Sequence, residues 1–554
     1  MADNAVTPSD RTLDGSVHSA QGTEKDNEKA ASQEGVEVAT RTEVDDFPHG
    51  IKLLLLMVAL CLSVFLVALD NTIIATAIPR ITDEFHSLDD ISWYGSAYLL
   101  ATAATQLLFG KLYTYLPVKL VYISAITIFE AGSALCGAAP NSKALIVGRA
   151  IAGFGSAGIF NGALIIIAHA VPLAKRPMYT GLVGAMYGIA SVAGPLLGGV
   201  FTDKVTWRWF NLPIGAVTLT VMIFFFKMPR SADRKPSDLP FWARVNQFDP
   251  VGTICFVPAI VSLLLALQWG GSKYPWSDGR IIALFVVFSV LIIAFVGVQI
   301  WKQDNATVPP RVFKQRSIWA SAFYCLCMGA SFFIFVFYLP IWFQAIKGVS
   351  AVKSGISTIP MILSLVIGSL LAGAIVTITG FYAPFLITSS VLMSIGAGLL
   401  YTLKVNTKHP RWIGYQVLYG LGVGVGMQQP VMAAQTVLEL KDVPVGTSIM
   451  MFLQTLGGAL FISAGTNVFT TTLIKGVVEN VPGISPEVVV AAGATSLGQV
   501  IPPQDLPAVL VAYNAAIVKA FEISIAMSIA SLIGSVFVEW KSVKGKNISM
   551  GAAA

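Results

Sequence analysis

Long apolar stretches separated by short polar connections run through nearly the whole chain after residue 50. A helix that spans a membrane needs about 20 mostly apolar residues. Fourteen stretches meet this requirement, and we number them segments 1 to 14. They cover approximately 51–73, 91–112, 118–139, 144–168, 177–201, 208–227, 250–269, 281–301, 317–340, 355–378, 382–403, 412–434, 447–473 and 514–538. The pattern predicts an all-α integral membrane protein with fourteen transmembrane helices. Because fourteen is even, both termini are predicted on one side of the membrane.

Composition narrows the class of protein further. Hydrophobic residues make up 55% of the 554 residues and charged residues 12%, whereas soluble domains carry about 25% charged residues. This excludes an ordinary soluble enzyme and a disordered protein. Nucleic-acid binding would require clustered Lys and Arg, so we expect a lipid bilayer and no nucleic acid as partner.

Charge is distributed unevenly along the chain. Residues 1–50 hold 11 acidic and 4 basic residues and lack an apolar run, so they are predicted to be a disordered tail. The connections 227–249 and 302–316 hold five and four Lys or Arg residues. Since positive loops favour the cytoplasmic side, both termini are predicted to be cytoplasmic and the loop 474–513 extracellular.

The residue types that usually carry catalysis or bind metal form no recognisable pattern. The five cysteines lie in apolar stretches and give neither a disulfide framework nor a zinc spacing. The five histidines are scattered, and no nucleotide-binding or hydrolase motif is present. The sequence therefore predicts no enzyme, no metal and no cofactor. Without an ATP site, energy for transport would come from a gradient.

An internal repeat divides the chain. Gly110, Thr114 and Pro117 recur as Gly373, Thr377 and Gly380, at an offset of 263 residues. The segment 4 pattern that begins at Arg149 and continues to Gly153 and Gly155 recurs from Gln416, as Gly420 and Gly422, at an offset of 267. Two similar offsets predict two parallel six-helix halves, with segments 7 and 8 inserted between them and a substrate site at the midplane.

This repeat predicts the domain organisation. A six-helix bundle at 51–227 and another at 317–540 would flank a linker, 228–316, that holds the two extra helices. Residues 1–50 and 541–554 would be cytoplasmic tails.

Three charged residues lie inside predicted spans: Asp70, Glu130 and Arg149. Asp70 is 19 residues after Ile51, about 28 Å along a helix, and Arg149 lies near the outer end of segment 4. The two would meet if segments 1 and 4 are in contact. A paired carboxylate suits proton coupling, and a static ion pair or a helix cap at Asp70 is the alternative. Glu130 is either a second protonatable site or a neutral, hydrogen-bonded acid.

Small residues line one face of segment 5. Gly184, Gly188, Ser191, Pro195 and Gly198 are spaced by 4, 3, 4 and 3 residues. Such a face lets helix backbones approach closely, and a proline bends a helix by removing a hydrogen bond. The face is interpreted either as tight packing or as a pliable contact between the two halves.

The candidate substrate contacts are uncharged amides and aromatic side chains, which suit bulky, largely apolar ligands. Aromatic residues near helix ends, such as Tyr338 and Trp342, are alternatively anchors at the membrane surface. The candidates are Gln106, Asn161, Tyr338, Gln344, Gln428, Gln429, Gln435 and Gln454, together with Phe332, Phe333, Trp342 and Phe452.

Several motifs resemble those of one transporter family. The run from Leu69 to Pro79 is similar to its helix 1 motif, and Gly148–Gly153, with Arg149, to its helix 4 motif. Gly194, Pro195, Gly198 and Gly199 form the helix 5 antiporter motif, Gly-Pro-Leu-Leu-Gly-Gly. Gly110, Lys111, Thr114 and Lys119 occupy the motif between helices 2 and 3. The chain resembles a fungal major facilitator superfamily exporter of the fourteen-spanner drug:proton antiporter group, over about residues 48–540.

The resemblance implies the major facilitator fold and proton coupling through the Arg149 region. The family has Asp where this chain has Thr114, Gly at Pro117 and Gln at Ala152, so the charge relay often assigned to the loop between helices 2 and 3 is not expected here. The stretch Trp207–Pro213 looks about three residues shorter than in relatives.

These observations favour a proton-coupled plasma-membrane pump that exports a hydrophobic small molecule, such as a fungal metabolite, toxin or drug, and acts as a monomer. One alternative is an uptake or vacuolar carrier for a siderophore or basic amino acids, which would need more acidic residues in its cavity. A receptor or scaffold without transport activity is the alternative from another class, and it would be expected to carry a folded cytoplasmic domain.

Overall fold

Fourteen helices of at least 15 residues are found in the described residues, and we label them α1 to α14 in chain order. The computed structural model describes residues 47–85, 90–204, 211–225, 240–271, 273–481, 483–494 and 497–544. The helices are α1 Ile51–Phe85, α2 Ile91–Tyr115, α3 Val118–Gly137, α4 Ser142–Ala170, α5 Arg176–Lys204, α6 Asn211–Phe225, α7 Pro250–Trp269, α8 Gly279–Lys302, α9 Arg316–Lys347, α10 Ile359–Thr379, α11 Ala383–Tyr401, α12 His409–Gly426, α13 Val443–Asn480 and α14 Leu506–Phe537.

Each helix overlaps one predicted segment, and five differ from the prediction by seven or more residues at one end. Helix α9 continues to Lys347 and α14 begins at Leu506, and the other three are α1, α12 and α13. Segment 12 is divided, because α12 ends at Gly426 and a separate helix, Gln429–Val437, follows it with a proline in its first turn. Helix α1 runs to Phe85 and α13 to Asn480, beyond the apolar stretches, because a helix continues into polar surroundings without penalty. The predicted loop 474–513 is therefore shorter and contains the helices Pro486–Ala492 and Leu497–Val500.

Ten helices of the described residues are long and apolar enough to cross a membrane. The chain is therefore a multi-pass, all-helical membrane protein. Helices α2, α5, α6 and α12 do not meet the same length and hydropathy criteria, so the count of fourteen spans stays a prediction. The predicted tail 1–50 up to residue 46, the stretch 205–210, the connection 226–239 and residues 545–554 lie outside the described residues.

Helix ends follow local chemistry. Asn141 caps α4 by accepting a hydrogen bond from the backbone N–H of Ala144 at 3.0 Å. Asp249 caps α7 through the N–H of Gly252, also at 3.0 Å, and Pro250 occupies the first turn. Gly380 ends α10 at φ +88°, in the left-handed region where a side chain would be strained. These signals set where each helix stops and the chain turns.

The packing of the helices repeats itself. The five most extensive contacts between members of the first helix set, α1–α6, each have an equivalent eight helices later in the second set, α9–α14. The pairs are α1–α5 with α9–α13, α1–α6 with α9–α14, α2–α4 with α10–α12, α3–α4 with α11–α12, and α3–α6 with α11–α14.

Two interfaces join the sets, and they are also equivalent. Helix α2 packs on α13, and α5 packs on α10, so in each interface the second helix of one set lies against the fifth helix of the other. Both interfaces involve the ends at which α2 and α10 finish and α5 and α13 begin. We call them the α2–α13 and α5–α10 interfaces.

The inserted helices α7 and α8 form a hairpin beside the α2–α13 interface. Helix α7 contacts α2, α13 and α8. At one end, Gln268 donates a hydrogen bond to Ser96 of α2 at 2.7 Å, and Ser463 of α13 donates one to the Leu267 carbonyl at 2.8 Å. Most of α8 is exposed on the apolar exterior. The hairpin therefore connects both helix sets on one side of the protein.

The segment Val538–Lys544, which follows α14, runs back across the second set. The Val543 N–H donates to the Gly380 carbonyl at 2.9 Å. At the start of α9, Ser317 donates to a carboxylate oxygen of Glu539 at 3.0 Å, and Arg316 donates to the Phe537 carbonyl at 2.8 Å. This C-terminal segment ties α9, α10 and α14 together at one end of the molecule.

Candidate functional site

A buried ion pair joins α1 to α4. Arg149 Nη1 lies 2.6 Å from Asp70 Oδ2, and the two residues are 2% and 6% exposed. Arg149 also donates Nε to the Tyr94 carbonyl at 2.8 Å, and its guanidinium lies 4.5 Å from the centre of the Tyr98 ring. Two residues far apart in sequence thus share one buried site, with backbone and aromatic groups around the cation.

Desolvation governs what this pair can do. Removing two charges from water is costly, and only their mutual contact and hydrogen bonds offset the cost. Loss of either partner would leave the other charge buried and uncompensated between α1, α2 and α4. The packing of these three helices therefore depends on the pair staying intact.

A cavity of about 90 Å³ lies between the two helix sets, next to this pair. Asn71, which follows Asp70, and Tyr98, whose ring faces Arg149, both belong to its wall. The lining residues are Val67, Asn71, Tyr98, Leu99, Thr102, Gln106, Ser156, Phe160, Tyr187, Phe332, Phe333, Met427, Met451, Gln454 and Thr455. Pockets for drug-sized ligands measure about 300–1,000 Å³, so a bulky ligand would enter only if the sets moved apart.

Four of the predicted substrate contacts line this cavity: Gln106, Gln454, Phe332 and Phe333. Asn161 lies directly behind Gln106 and accepts a hydrogen bond from its Nε2 at 2.9 Å. The structure therefore gathers these residues from α2, α4, α9 and α13 into one place.

The other predicted contacts lie elsewhere. Tyr338 is buried and donates to Thr466 at 3.3 Å, and Gln344 lies near the end of α9. Gln428 and Gln429 are buried where α12 gives way to the next helix, and Gln429 donates to the Val425 carbonyl at 3.2 Å. None of these four is among the lining residues, and their substrate role stays a prediction.

The side chains of the remaining three amide and aromatic candidates contact other parts of the structure. Gln435 donates to the Leu164 carbonyl of α4 at 3.3 Å, Trp342 donates to Asn514 at 2.8 Å, and Phe452 packs edge-on against Phe256 of the inserted α7.

Sequence reasoning missed much of the cavity wall. Tyr98, Thr102 and Gln106 follow one another at intervals of four residues on one face of α2, yet only Gln106 was predicted. That spacing of polar side chains on an apolar helix is the available signal. Met427 and Met451 give no comparable signal, because methionine is common in apolar helices.

Glu130 lies apart from the cavity, on α3 against α6. A Cβ added to Gly215 would overlap its carboxylate, so Gly215 provides the space for the side chain. Both carboxylate oxygens are buried without a hydrogen-bond partner in the described residues. A carboxylate in such surroundings is a candidate for protonation.

Small residues allow the close approach at both interfaces between the sets. A Cβ on Gly110 would lie 2.6 Å from Ser448 Oγ and 3.3 Å from the Pro444 carbonyl oxygen. A Cβ on Gly373 would lie 2.5 Å from the Pro177 carbonyl oxygen. Pro177 and Pro444 differ by 267 residues, and Gly110 and Gly373 by 263, so the two contacts are equivalent under the repeat.

The small face of α5 lies against several partners. A Cβ on Gly184 would meet Gln428 Nε2 at 2.6 Å, and one on Gly188 would meet Val366 Cγ2 at 2.5 Å. Gly194 packs directly against Thr72 of α1. Pro195, Gly198 and Gly199 lie in the last part of α5, and their side-chain surroundings fall outside the described residues.

The motif between α2 and α3 is buried near a cluster of charges. Lys111 is 1% exposed, Thr114 donates to the Gly110 carbonyl at 2.8 Å, and Lys119 donates to the Ile223 carbonyl at 3.1 Å. The acidic residues whose charges interact most strongly with Lys111 are Asp249 and Asp442. These acids belong to the inserted hairpin and to the start of α13, and Thr114 carries no charge.

A bidentate ion pair connects the linker before α9 to the start of α13. Arg311 Nη1 and Nη2 lie 2.6 and 2.9 Å from the two oxygens of Asp442. Asp304 is a second partner of Arg311, and the hydrogen bonds to Asp442 and Asp304 raise the pKa of Arg311 above its usual value. The Arg311 side chain is 44% exposed and that of Asp442 is 8% exposed.

Asp249 organises the adjoining end of the hairpin. Its Oδ2 accepts hydrogen bonds from Gln299 Nε2 at 3.0 Å and from the N–H and hydroxyl of Thr307 at 2.9 and 2.8 Å. Lys302 lies 3.3 Å from Oδ1. This end of α7 and α8 is therefore fixed to the linker that carries Arg311.

Among the described residues no group of three or more His, Cys, Asp or Glu side chains is arranged to hold a metal ion. The chemistry of the site consists of an ion pair, amides, hydroxyls and aromatic rings. This set is suited to binding and moving a solute.

Comparison with known proteins identifies the family. Residues 60–462 match the family model described as Major Facilitator Superfamily. The chain is 61% identical over 508 residues to the MFS-type efflux pump MFS1 of Arthroderma benhamiae, covering 91% of this chain and 94% of that protein. It is 53% identical over 506 residues to the efflux pump aflT of Aspergillus parasiticus, covering 91% and 98%. It is 48% identical over 550 residues to the aspyridones efflux protein of Neocamarosporium betae, covering 99% and 97%.

Solved structures share the fold at low sequence identity. The proton:xylose symporter XylE aligns with a TM-score of 0.56 and 12% identity over 88% of this chain and 96% of that chain. The human organic anion transporter MFSD10 aligns with a TM-score of 0.55 and 13% identity over 86% and 100%. With a matching family model, close fungal efflux relatives and the shared fold, this chain belongs to the Major Facilitator Superfamily, a family of membrane transporters and not of enzymes.

Proposed function

We propose that this protein is a proton-driven exporter of hydrophobic small molecules, of the fungal metabolite or toxin type, in the plasma membrane. The observation that carries the proposal is the buried Asp70–Arg149 pair, which adjoins a cavity with aromatic walls. Protons entering at Asp70 would disturb the packing beside the cavity wall and change which side of the membrane the cavity reaches. The names of the efflux relatives support the direction of transport.

The proposal includes a membrane arrangement. Fourteen spans would consist of the bundles 51–227 and 317–540, with the linker 228–316 between them and both termini in the cytoplasm. The ends of α2 and α10 and the starts of α5 and α13 would then lie on the cytoplasmic side. Because these ends are in contact, the conformation described here would be closed toward the cytoplasm, and inward opening would separate them.

Other residues take supporting roles in this proposal. Glu130 is a second proton site, the small face of α5 is the contact that lets the two halves rock, and the motif of Gly110, Lys111, Thr114 and Lys119 closes the cytoplasmic side. The protein works as a monomer, because each helix set finds its partner within the same chain.

Substitution of Asp70 by Asn tests the energy coupling. Purified protein in proteoliposomes should lose export driven by a pH gradient, while ligand binding persists in part, because the amide keeps the shape but does not titrate. The matched control is Glu522→Gln on α14, where the acid is exposed and paired with Lys519. Export by Asp70→Asn at the wild-type rate and pH dependence would remove Asp70 from the mechanism.

Reporter tags test the membrane arrangement. A tag within 227–249 should be cytoplasmic, and one within 481–505 should be extracellular. If both tags were found on one side, the proposed arrangement of spans would be incorrect.

A further inference from the structure

We infer that the cavity prefers uncharged aromatic molecules that carry a hydroxyl group, because Gln106, in its wall, has a buried hydrogen-bond acceptor without a partner in the described residues. The inference rests on the proposed function, in which this cavity holds the substrate. It follows from a chain of hydrogen bonds whose direction is fixed by backbone carbonyl groups.

The chain begins on the second helix set. The Ser448 hydroxyl donates its proton to the Pro444 carbonyl at 2.9 Å, so its oxygen is free to accept. Asn161 Nδ2 donates to Ser448 Oγ at 3.0 Å and to the Gln106 carbonyl at 3.0 Å. Carbonyl oxygens only accept hydrogen bonds, so the amide of Asn161 cannot be reversed without losing both contacts.

This orientation determines that of Gln106. Since Oδ1 of Asn161 must accept, Gln106 Nε2 is the atom that lies against it, at 2.9 Å. The side-chain oxygen of this lining residue, Gln106 Oε1, is buried and has no hydrogen-bond partner in the described residues. A buried acceptor without a donor is unfavourable, so a ligand that supplies a hydroxyl proton gains affinity there.

The rest of the wall sets the other requirements. Tyr98, Phe160, Tyr187, Phe332 and Phe333 provide aromatic surfaces. Among the described residues that line the cavity none carries a charge, so a cationic ligand would find no counter-ion in the wall. A hydrophobic aromatic ring system with a hydroxyl group fits this combination better than a lipophilic cation does.

The relay also crosses between the two helix sets. Gln106 and Asn161 belong to α2 and α4, whereas Ser448 and Pro444 belong to α13. The Asn161–Ser448 bond joins α4 to α13 and therefore exists only while the two sets are in contact. The two bonds between Asn161 and Gln106 lie within the first set, so they fix the Gln106 amide when the sets move apart to admit a ligand.

Binding of a matched pair of probes tests the inference. The probes are 1-hydroxypyrene and 1-methoxypyrene, and binding to the purified full chain is measured by energy transfer from tryptophan at a pH where the phenol is neutral. The methyl ether removes the donor and keeps the ring system. We expect it to bind about tenfold more weakly, as for the loss of one hydrogen bond to a buried acceptor. Equal binding of both probes, or binding of neither, would overturn the inference.

Two variants and one control locate the cause. Gln106→Met should bring the two affinities to within about twofold, because the acceptor is gone. Asn161→Leu should do the same without altering Gln106, since the freed amide can turn either end to the cavity. Met451→Leu changes an apolar residue of the same cavity at similar volume, so it should leave the ratio of the two affinities unchanged. A full preference for the hydroxyl probe in both Gln106→Met and Asn161→Leu would contradict the relay.

Binding needs no gradient, so this result is separate from the test of export. Loss of the probe preference with intact pH-driven export overturns only the inference about Gln106. Intact preference without pH-driven export overturns the proposed function and leaves the acceptor site in place.

Discussion

The α2–α13 and α5–α10 interfaces share one geometry and differ in their surroundings. In each, a glycine near the end of one helix, Gly110 or Gly373, lies against a proline carbonyl at the start of the other. The α2–α13 interface also carries the Asn161–Ser448 bond, and the inserted α7 packs beside it. At the α5–α10 interface, Ser369 donates to the Gly181 carbonyl at 3.1 Å, and the described residues show no comparable packing of an inserted helix there.

The repeat shows how side-chain size is distributed between them. Position 188 on α5 is equivalent to position 455 on α13, and position 366 on α10 to position 103 on α2, by the offsets of 267 and 263. The α5–α10 interface thus has Gly188 opposite Val366, where the other has Thr455 and Ala103. The larger side chain of the pair is on α10 at one interface and on α13, not on α2, at the other. The two interfaces therefore place the larger residue on opposite helices of the equivalent pair.

Because of this difference, we expect the two interfaces to tolerate different substitutions. At α5–α10 the contacts are mainly steric, some are made directly to backbone atoms, and one hydrogen bond runs from Ser369 to the Gly181 carbonyl. At α2–α13 steric contacts combine with hydrogen bonds and with the Arg311–Asp442 pair next to them. We therefore expect bulk to be most harmful at α5–α10 and loss of polar groups to be more harmful at α2–α13.

The largest effect is expected for Gly188→Leu. The new side chain would start 2.5 Å from Val366 Cγ2 and push α10 outward. Overpacking costs about 1–3 kcal/mol, enough to shift the balance between two conformations separated by a few kcal/mol. Export should be lost at normal surface abundance, measured by efflux and surface labelling.

The size exchange supplies a stringent control for that result. Gly188→Thr combined with Val366→Ala transfers the α2–α13 residues to the other interface and should recover most of the export lost in Gly188→Thr alone. Ser191→Ala should be nearly silent, because the hydrogen bond that the Ser191 hydroxyl makes within the described residues is to the Tyr187 carbonyl of its own helix. Normal export by Gly188→Leu would mean that this contact has room for a larger side chain. A matching change, Gly198→Leu, falls where side-chain surroundings lie outside the described residues, and the same loss is predicted.

The next effect compares Gly373→Ala with Gly110→Ala. A methyl group on Gly373 meets the Pro177 carbonyl, which is backbone, whereas on Gly110 it first meets the Ser448 side chain. We expect export to fall about tenfold for Gly373→Ala and about threefold for Gly110→Ala, within the range of overpacking energies. Adding Ser448→Gly should restore part of the Gly110→Ala loss. Equal losses at both glycines would remove the distinction between backbone and side-chain contacts.

A smaller effect is expected from the charges next to α13. Arg311→Gln should reduce export about two- to fivefold, since a half-exposed ion pair contributes about 1 kcal/mol. Arg311→Lys should fall between this variant and the wild type, because it keeps the charge and loses the bidentate contact. Lys475→Gln, which breaks an exposed pair with Glu479, is the control and should be silent. A silent Arg311→Gln would show that the linker does not influence transport.

The smallest effect is expected from Ser369→Ala, which removes one hydrogen bond at the α5–α10 interface. Export should change by less than about twofold, because a single neutral bond contributes about 1 kcal/mol at most to the contact. Ser448→Ala, which removes a bond made across α2–α13 by Asn161, should have the larger effect of the two. The reverse order in transport assays would contradict our comparison of the interfaces.

Hydropathy and the repeat account for much of what the sequence reveals. Apolar stretches locate the helices, because a membrane span has a required length. The depths of Asp70 and Arg149 along their helices indicate that the two can meet, and they are 2.6 Å apart. The offsets identify Gly110 and Gly373 as equivalents, although not the proline carbonyls that they face.

Other features depend on packing that has no local signal. Arg311 and Asp442 are 131 residues apart and only meet because the linker and α13 share one end of the molecule. The break after Gly426 was not predicted, because the apolar pattern continues through it. The cavity wall joins seven stretches of chain, so residues such as Met451 enter it through the arrangement of whole helices.

The C-terminal segment has a consequence for biosynthesis. The hydroxyl of Ser317, at the start of α9, donates a hydrogen bond to Glu539, which is synthesised 222 residues later. Ribosomes deliver a chain from its N-terminus, and structure forms as the chain emerges. The second helix set therefore cannot be completed until the segment Val538–Lys544 has been synthesised. A chain truncated after Phe537 would keep α1 to α14 and lose the bonds from Ser317 to Glu539 and from Val543 to Gly380, so the contacts that fasten the ends of α9 and α10 are among the last to form during synthesis.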